Sequence, residues 1–431
     1  MNRPTFRRDR SAGLVAGVRK RTFTWGFASQ AACSATNFGL SLLAGRAVGP
    51  AGLGVVFIGF AFYQAVLGFQ RSLLSDPLVS ISSALDPKAR DQATRAAFTM
   101  LWLWAGAAAL VLALAGLMLP GPAGDGLLLF LPWLVPALVQ DFWRVVLFRE
   151  NRGGAVALND ALWLAVMAIT APLVFVWGST WAVMGCWGLG AVAGMTVGFF
   201  QTRLHPEPLK LAVRWWQSTA WPLGRWLGAG GIVYLLGSQG LVLLLAFILE
   251  TRALGGLRAV ESIFAPLSVL GPALALPGLP VVARRVASSF DEARGLAARL
   301  GAGAVLLTSG YLLVATMRHG RLLGLVFGSS FQTFGQLIWP IGLKQLLVAP
   351  TIGFNLLLLA QKRGKALLLS QVLSTVAMLS FSPWLASTHG AAGAAWGMAI
   401  AAGLQAVTIT ACALSRSAPT TPDAGATTSR R

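Results

Sequence analysis

Between residues 23 and 76 two apolar runs stand back to back, parted only by Gly49-Pro50. The first, about 23–48, is punctuated by Gln30, Ser34, Asn37 and Arg46. The second, about 53–74, carries Tyr63, Gln64 and Arg71 and ends at Asp76-Pro77. Each is long enough to cross a bilayer, which takes about 20 apolar residues. Inside a bilayer every backbone N–H and C=O must be satisfied within the protein, so runs of this length fold as helices. Helices facing only lipid have no use for scattered amides and arginines. Some faces therefore line water or hold a polar group.

The pattern repeats along the chain. Further spans are expected at about 96–119, 126–148, 155–177, 181–201, 221–249, 256–283, 298–317, 332–360, 366–387 and 391–414. Only 11% of residues are charged and mean hydropathy is +0.69, against about 25% charged in soluble domains. The net charge of +20 does not signal nucleic acid, because the positive residues sit in short loops between apolar runs. With the N-terminus inside, 25 basic residues fall in inside loops and tails and 4 outside, Arg258 among the latter. That bias puts both termini in the cytoplasm. The fold class is an all-α, polytopic membrane protein of about 12 transmembrane helices in two six-helix lobes. Residues 1–22 form a basic cytoplasmic tail, 23–202 the N-lobe, 203–218 a cytoplasmic inter-lobe loop, 219–414 the C-lobe, and 415–431 a disordered cytoplasmic tail.

The halves echo each other. Residues 37–44 align with 239–246 at an offset of 202, which also sets Gly54 on Gly256. Six spans on either side of the mid-chain loop make the halves parallel repeats, an arrangement that commonly encloses a midplane cavity.

Catalytic signatures are absent. No phosphate-binding G-x-x-x-x-G-K-[ST] loop, H-E-x-x-H or G-x-S-x-G occurs, which argues against an enzyme and against nucleotide hydrolysis. The three histidines lie in loops and the three cysteines in apolar runs, so neither a metal nor another cofactor is expected.

What remains are polar residues within spans, each of which needs a partner or a wet cavity. Arg46, Arg71, Arg144, Arg225 and Lys344 are the cations, and Lys344 lies nearest the middle of its span. Asp141, Asp160 and Glu261 are the carboxylates, suited to ion coupling. Asp141 and Arg144, three residues apart, share a helix face and can pair. Asn37, Gln64 and Gln239 are uncharged and central. Snorkelling, structural ion pairs and interhelical hydrogen bonds are the plain alternatives for all of these. Trp133, Trp143, Trp163 and Trp339 suit either stacking on sugars or the interfacial belt.

The run Gln30, Asn37-Phe38, Leu42-Leu43-Ala44-Gly45-Arg46, Gly49-Pro50, Gly52-Leu53-Gly54, then Tyr63, Arg71 and Asp76-Pro77 resembles polysaccharide-export flippases of the Wzx type. These belong to the multidrug/oligosaccharidyl-lipid/polysaccharide (MOP) exporter superfamily. The resemblance implies a V-shaped, MATE-like pair of lobes in the bacterial cytoplasmic (inner) membrane. It implies alternating access, with cavity cations holding the diphosphate of a polyprenyl-linked oligosaccharide. By span position those are Arg46, Arg71, Arg144, Arg225 and Lys344, with Asn37, Gln64 and Gln239 toward the sugar. A polysaccharide polymerase is the expected downstream partner, alongside the lipid bilayer. The alternative is a cation-coupled multidrug or small-molecule exporter using Asp141, Asp160 or Glu261. A non-transporting scaffold is a third reading, disfavoured by short loops. Five cations against three carboxylates in the spans lean toward a net-basic cavity and the flippase.

Overall fold

The structure, a computed structural model, describes residues 8–82, 85–317 and 319–415. The expected disordered tail falls at 415–431, of which all but Ser415 lies outside the described residues, as do residues 1–7 of the N-terminal tail. Among the described residues every regular element is helical.

α1 (Arg8–Gln70) is a single helical run broken at Gly49, whose φ of 70° and ψ of −170° leave the helix. Pro50 follows, and glycine is the residue that adopts this conformation without strain. A straight helix would hold Asn37 and Tyr63 about 39 Å apart at 1.5 Å per residue, yet both line one cavity. The chain therefore doubles back at Gly49. A π-helical turn, Arg71–Ser75, joins this hairpin to α2 (Asp76–Ser82).

α3 (Pro87–Met118) starts where the Asp86 side chain caps the Ala89 N–H, with proline at the first helical position. α4 (Pro122–Arg149) and α5 (Gly153–Trp177) follow, and α5 closes on Gly178 in the left-handed region. α6 (Thr180–Thr202) opens on a Ser179 cap.

The second half rises through α7 (Leu209–Trp215), α8 (Trp221–Leu235) and α9 (Leu241–Ile248), joined end to end by the π turns Trp216–Ala220 and Leu236–Gly240. α10 (Thr251–Ile263) and α11 (Leu270–Ser288) are separated by a 3-10 turn containing Pro266. α12 (Phe290–Met317) and α13 (His319–Phe327) lead into a 3-10 turn, then α14 (Ile338–Val348) and α15 (Thr351–Ala360). α16 (Gly364–Leu414) breaks at Gly390 (φ 59°) as α1 does at Gly49. Its two legs also lie side by side, since Ser374 donates to the Ala401 carbonyl and Gln405 to Gln371.

Among the described residues, nine helices are long and apolar enough to cross a membrane, the two hairpins each counting once. The chain is a multi-pass membrane protein. The run 256–283, expected as one span, is split at the proline turn, because Pro266 offers no backbone N–H to continue the helix.

The halves meet most closely where the second leg of α1 crosses α10. A Cβ on Gly54 would collide with the Thr251 carbonyl, and one on Gly255 with the Pro50 carbonyl. The contact is reciprocal: Pro50 and Gly54 on one side, Thr251 and Gly255 on the other. This is the pattern of two like surfaces about a two-fold. Its offset is 201, one residue from that of the sequence echo. Nearby, Phe327 packs where Gly45 leaves room, and Arg46 donates to the Leu325 and Val326 carbonyls in the last turn of α13. The Gly49 end of the bundle is thus closed.

Candidate functional site

A cavity of about 230 Å³ lies within the first half, lined by α1, its π turn, α4, α5 and α6. Its walls include Gln30, Asn37, Tyr63, Gln64, Arg71, Asp141, Arg144, Asp160, Trp163 and Trp187. α6 makes room for the wall through Gly190, Gly194 and Gly198, four residues apart, where any Cβ would run into Trp163, Gln140 or Trp143 respectively. α4 and α5 thereby approach α6 closely enough to bring Gln140, Asp141, Asn159 and Asp160 together.

Four charges form a chain along one wall. Arg71 grips Asp141 with both Nε, at 3.0 Å, and Nη2. Arg144 reaches Asp141 at 3.6 Å and Asp160 at 3.2 Å. Asp160 also accepts from Ser29 and from Gln140 Nε2 at 2.8 Å. Gln140 is steadied by Asn159, which donates to the Gly194 carbonyl at 2.7 Å. The members differ in exposure. Side-chain accessibility is 44% for Arg71, 14% for Arg144, 3% for Asp141 and 4% for Asp160. Asp141 and Asp160 are interior counter-ions, Arg144 bridges them, and Arg71 presents its guanidinium to the cavity. Two arginines against two carboxylates make this wall electrically balanced, not net basic as the count over whole spans suggests.

The floor is aromatic. Tyr63 stacks on Phe130 with centroids 5.3 Å apart, and Trp187 meets Trp163 edge to face at 4.9 Å. Of the four tryptophans singled out in the sequence only Trp163 lines the cavity. Trp143 is buried with its indole N–H on the Met195 carbonyl, and Trp339 is exposed on α14.

A second cluster sits on α10 just before its break. Glu261 accepts from Arg258 at 2.8 Å and from Lys344 at 3.1 Å, one cation on each oxygen. Lys344 is thus a paired residue, not the isolated cation its midspan position suggests. Arg258, counted to an outside loop from the sequence, lies in the helix interior, stacked 5.5 Å over the Phe57 ring of α1. Ser262 reaches across to Ser41 at 3.3 Å. The α10 terminus frees carbonyls, and Tyr311 caps that of Ile263. The cluster carries one excess positive charge and touches both halves.

The remaining residues lie elsewhere. Arg46 is at the closed end on α13, Arg225 is exposed over the Trp226 ring at 5.5 Å, and Gln239 belongs to the π turn after α8. The cavity therefore unites Asn37, Gln64, Arg71, Asp141, Arg144 and Asp160 and excludes Arg46, Arg225, Lys344, Gln239 and Glu261.

No family model and no curated protein matches this sequence. Solved structures do. An inward-facing multidrug resistance MATE transporter of the MOP superfamily aligns with a TM-score of 0.70 at 11% identity, over 88% of this chain and 93% of that one. The lipid II flippase MurJ in an inward closed conformation gives 0.71 at 11% identity, over 90% and 87%. An outward-facing MATE transporter gives 0.55 at 12% identity, over 90% and 92%. The chain has a fold like that of MATE and MurJ. Identities this low carry the fold and no residue roles. Both clusters above follow from this chain's own atoms and lie between its packed helices.

Proposed function

We propose that the chain is a MOP-type flippase that turns a polyprenyl-diphosphate-linked oligosaccharide from the cytoplasmic to the outer leaflet of the bacterial cytoplasmic membrane. It works by alternating access between two six-helix lobes of twelve spans, with both termini in the cytoplasm. The observation that carries this reading is Arg71, whose half-exposed side chain lines a cavity walled by amides and aromatic rings while its guanidinium rests on Asp141. A diphosphate cannot cross hydrocarbon unaided, because desolvating its charges costs many kcal/mol. Arginine meets phosphate with a planar two-pronged donor. Gln30, Asn37, Gln64 and Trp163 supply the mix of hydrogen bonds and ring faces that suits a sugar.

In this reading the Gly49 end is the outer one, sealed at Gly54 and Gly255. Substrate enters from the Arg149 end while the prenyl tail stays in lipid. The cavity, at about 230 Å³, is below the roughly 300–1,000 Å³ of ordinary ligand pockets. It admits the headgroup's first units, and the lobes part to take the rest. Arg258 and Lys344 wait between the lobes with one positive charge in excess, a second station for the anion. A polymerase on the outer face is the natural consumer of the product.

The test is a deletion strain. It should accumulate lipid-linked repeat units on the cytoplasmic leaflet and lose its surface polysaccharide. Intact surface glycan together with new sensitivity to cationic dyes would sink the reading. It would favour a cation-coupled multidrug or small-molecule exporter instead. The observation behind that second reading is the charge balance of the wall, with Asp141 and Asp160 both buried in it.

A further inference from the structure

Arg71 opens the π turn Arg71–Ser75. A π turn holds one residue more than the α-helix it interrupts, and such turns gather at functional sites. Arg71 points into the cavity, but the next two residues serve another contact. Ser72 and Leu73 pack on α8 in the second half. A Cβ on Gly231 would lie 2.6 Å from the Ser72 hydroxyl, one on Gly228 2.9 Å from Leu73 Cδ2, and one on Gly224 3.2 Å from the Leu73 carbonyl. That carbonyl accepts from Trp216 Nε1 at 3.3 Å, and Trp216 itself opens the π turn Trp216–Ala220. Two π turns, one from each half, are therefore joined by a hydrogen bond at Leu73, two residues from the cavity-lining Arg71.

We propose that the Arg71–Ser75 turn couples the cavity to the contact between the halves, Ser72 and Leu73 acting as positioning residues. When Arg71 leaves Asp141 for an anion, the turn's extra residue is absorbed and Ser72 and Leu73 rotate off the α8 glycines. Removing one residue from a helix turns everything beyond it by about 100° and moves it ~1.5 Å. A turn whose first residue is in the site and whose next two are in the lobe contact transmits such a change directly. Gly224, Gly228 and Gly231 fall on one helix face, so the side chains sliding over it meet no ridge. The inference rests on the flippase reading for the identity of the trigger, a phosphoryl anion; the mechanics need no substrate.

A disulfide reports the contact. Ser72→Cys and Gly231→Cys, in a background with Cys33, Cys186 and Cys412 replaced by serine, are well placed, since a Cβ on Gly231 lies 3.5 Å from that of Ser72. The full-length protein in membrane vesicles is oxidised with copper phenanthroline and then cut in the 203–208 loop, so that only the cross-link holds the halves together. Arg71→Gln and Asp141→Asn should each slow cross-linking by about fivefold or more, the lower end of typical coupling between sites. Asp91→Asn, which breaks only the surface pair with Arg95, should leave the rate alone. P1,P2-dimethyl diphosphate, a non-titrating diphosphate diester, should slow the parent and not the Arg71→Gln variant. Unchanged rates in Arg71→Gln overturn the coupling, whether or not Asp141→Asn reaches the membrane. Slowing by the substitutions with no effect of the diester keeps the coupling and overturns the diphosphate reading.

Discussion

Arg71 and Arg144 stand on the same carboxylate, yet their substitutions should fail in opposite ways. Arg144 is 14% accessible and bridges Asp141 and Asp160, which are 3% and 4% accessible. Removing one member of a buried pair costs about 3–5 kcal/mol because it strands the other charge. In Arg144→Gln, Asp160 keeps Ser29 and Gln140, which places the loss near the lower figure, about 3 kcal/mol. Arg71, 44% accessible, is closer to a surface pair, worth about 1 kcal/mol or less. At roughly 2 °C per kcal/mol, Arg144→Gln should lower the apparent unfolding temperature by about 6 °C and Arg71→Gln by no more than about 2 °C. The assay is heating of detergent-solubilised fluorescent fusions followed by size-exclusion chromatography, beside transport in the deletion strain. Arg71→Gln should abolish transport in well-folded protein. Arg144→Gln with Asp160→Asn should be more stable than Arg144→Gln alone, because no orphan charge remains. The two changes should couple by about 2 kcal/mol, well beyond additivity error. Equal thermal losses for the two arginines, or a double variant worse than the single, would refute the division into a structural and a substrate-facing cation.

Lys344→Ala should cost little stability, since Glu261 keeps Arg258, whereas Arg258→Ala with Lys344→Ala should leave Glu261 stranded and sharply reduce folded protein on a gel-filtration profile. Gly255→Val should hold the Gly49 end apart, because the Pro50 carbonyl it meets is backbone and cannot step aside; extracellular thiol reagents should then reach Cys33 in the cavity, and a Cys33 that stays unlabelled would contradict the seal. Reporter fusions after Arg95, Arg152, Arg214, Arg294 and Lys365 should score cytoplasmic and those after Asp125, Ser179 and Gly390 external, and one reproducible inversion would break the twelve-span arrangement.

Membrane helices were legible because their signal is one-dimensional: apolar length between polar breaks, with Gly49-Pro50 marking the first hairpin. Asp141 and Arg144 were readable as neighbours because helical spacing fixes them on one face. What escaped was pairing between helices. Arg71 and Asp141 are 70 residues apart, Glu261 and Lys344 83, and no local rule links such positions. A count of charges in spans therefore suggested free cations where the fold supplies counter-ions. Arg258 was misassigned because it sits only a few residues past the Leu249-Glu250 break, although its spacing of three from Glu261 was a usable signal. No local pattern sets the glycines of α6 and α8 apart from the chain's other small residues. Only the packed helices reveal that Gly194 admits Gln140 and that Gly231 admits Ser72.

On the proposed reading of the first-half cavity as an anion site, the balanced wall accounts for how such a site would persist in a membrane while empty. A bare pair of arginines in hydrocarbon would carry the full penalty of unpaired charge. Asp141 and Asp160 remove that penalty, so on the proposed reading an incoming anion would bind by exchange, taking Arg71 from Asp141. The gain is the difference between two arginine–anion contacts and not the whole of one, which keeps affinity low enough for release on the far side. The proposed diphosphate diester would compete because it brings two charges and several acceptor oxygens against one carboxylate, and the Asp141 left behind would still have Arg144. The α10 cluster obeys the same rule with one cation more, Glu261 being shared by Arg258 and Lys344. An anion that traded places at the neutral wall, as proposed, would next meet a cluster of net positive charge where the two halves touch, so the electrostatic order of the two clusters runs from the first half toward its contact with the second.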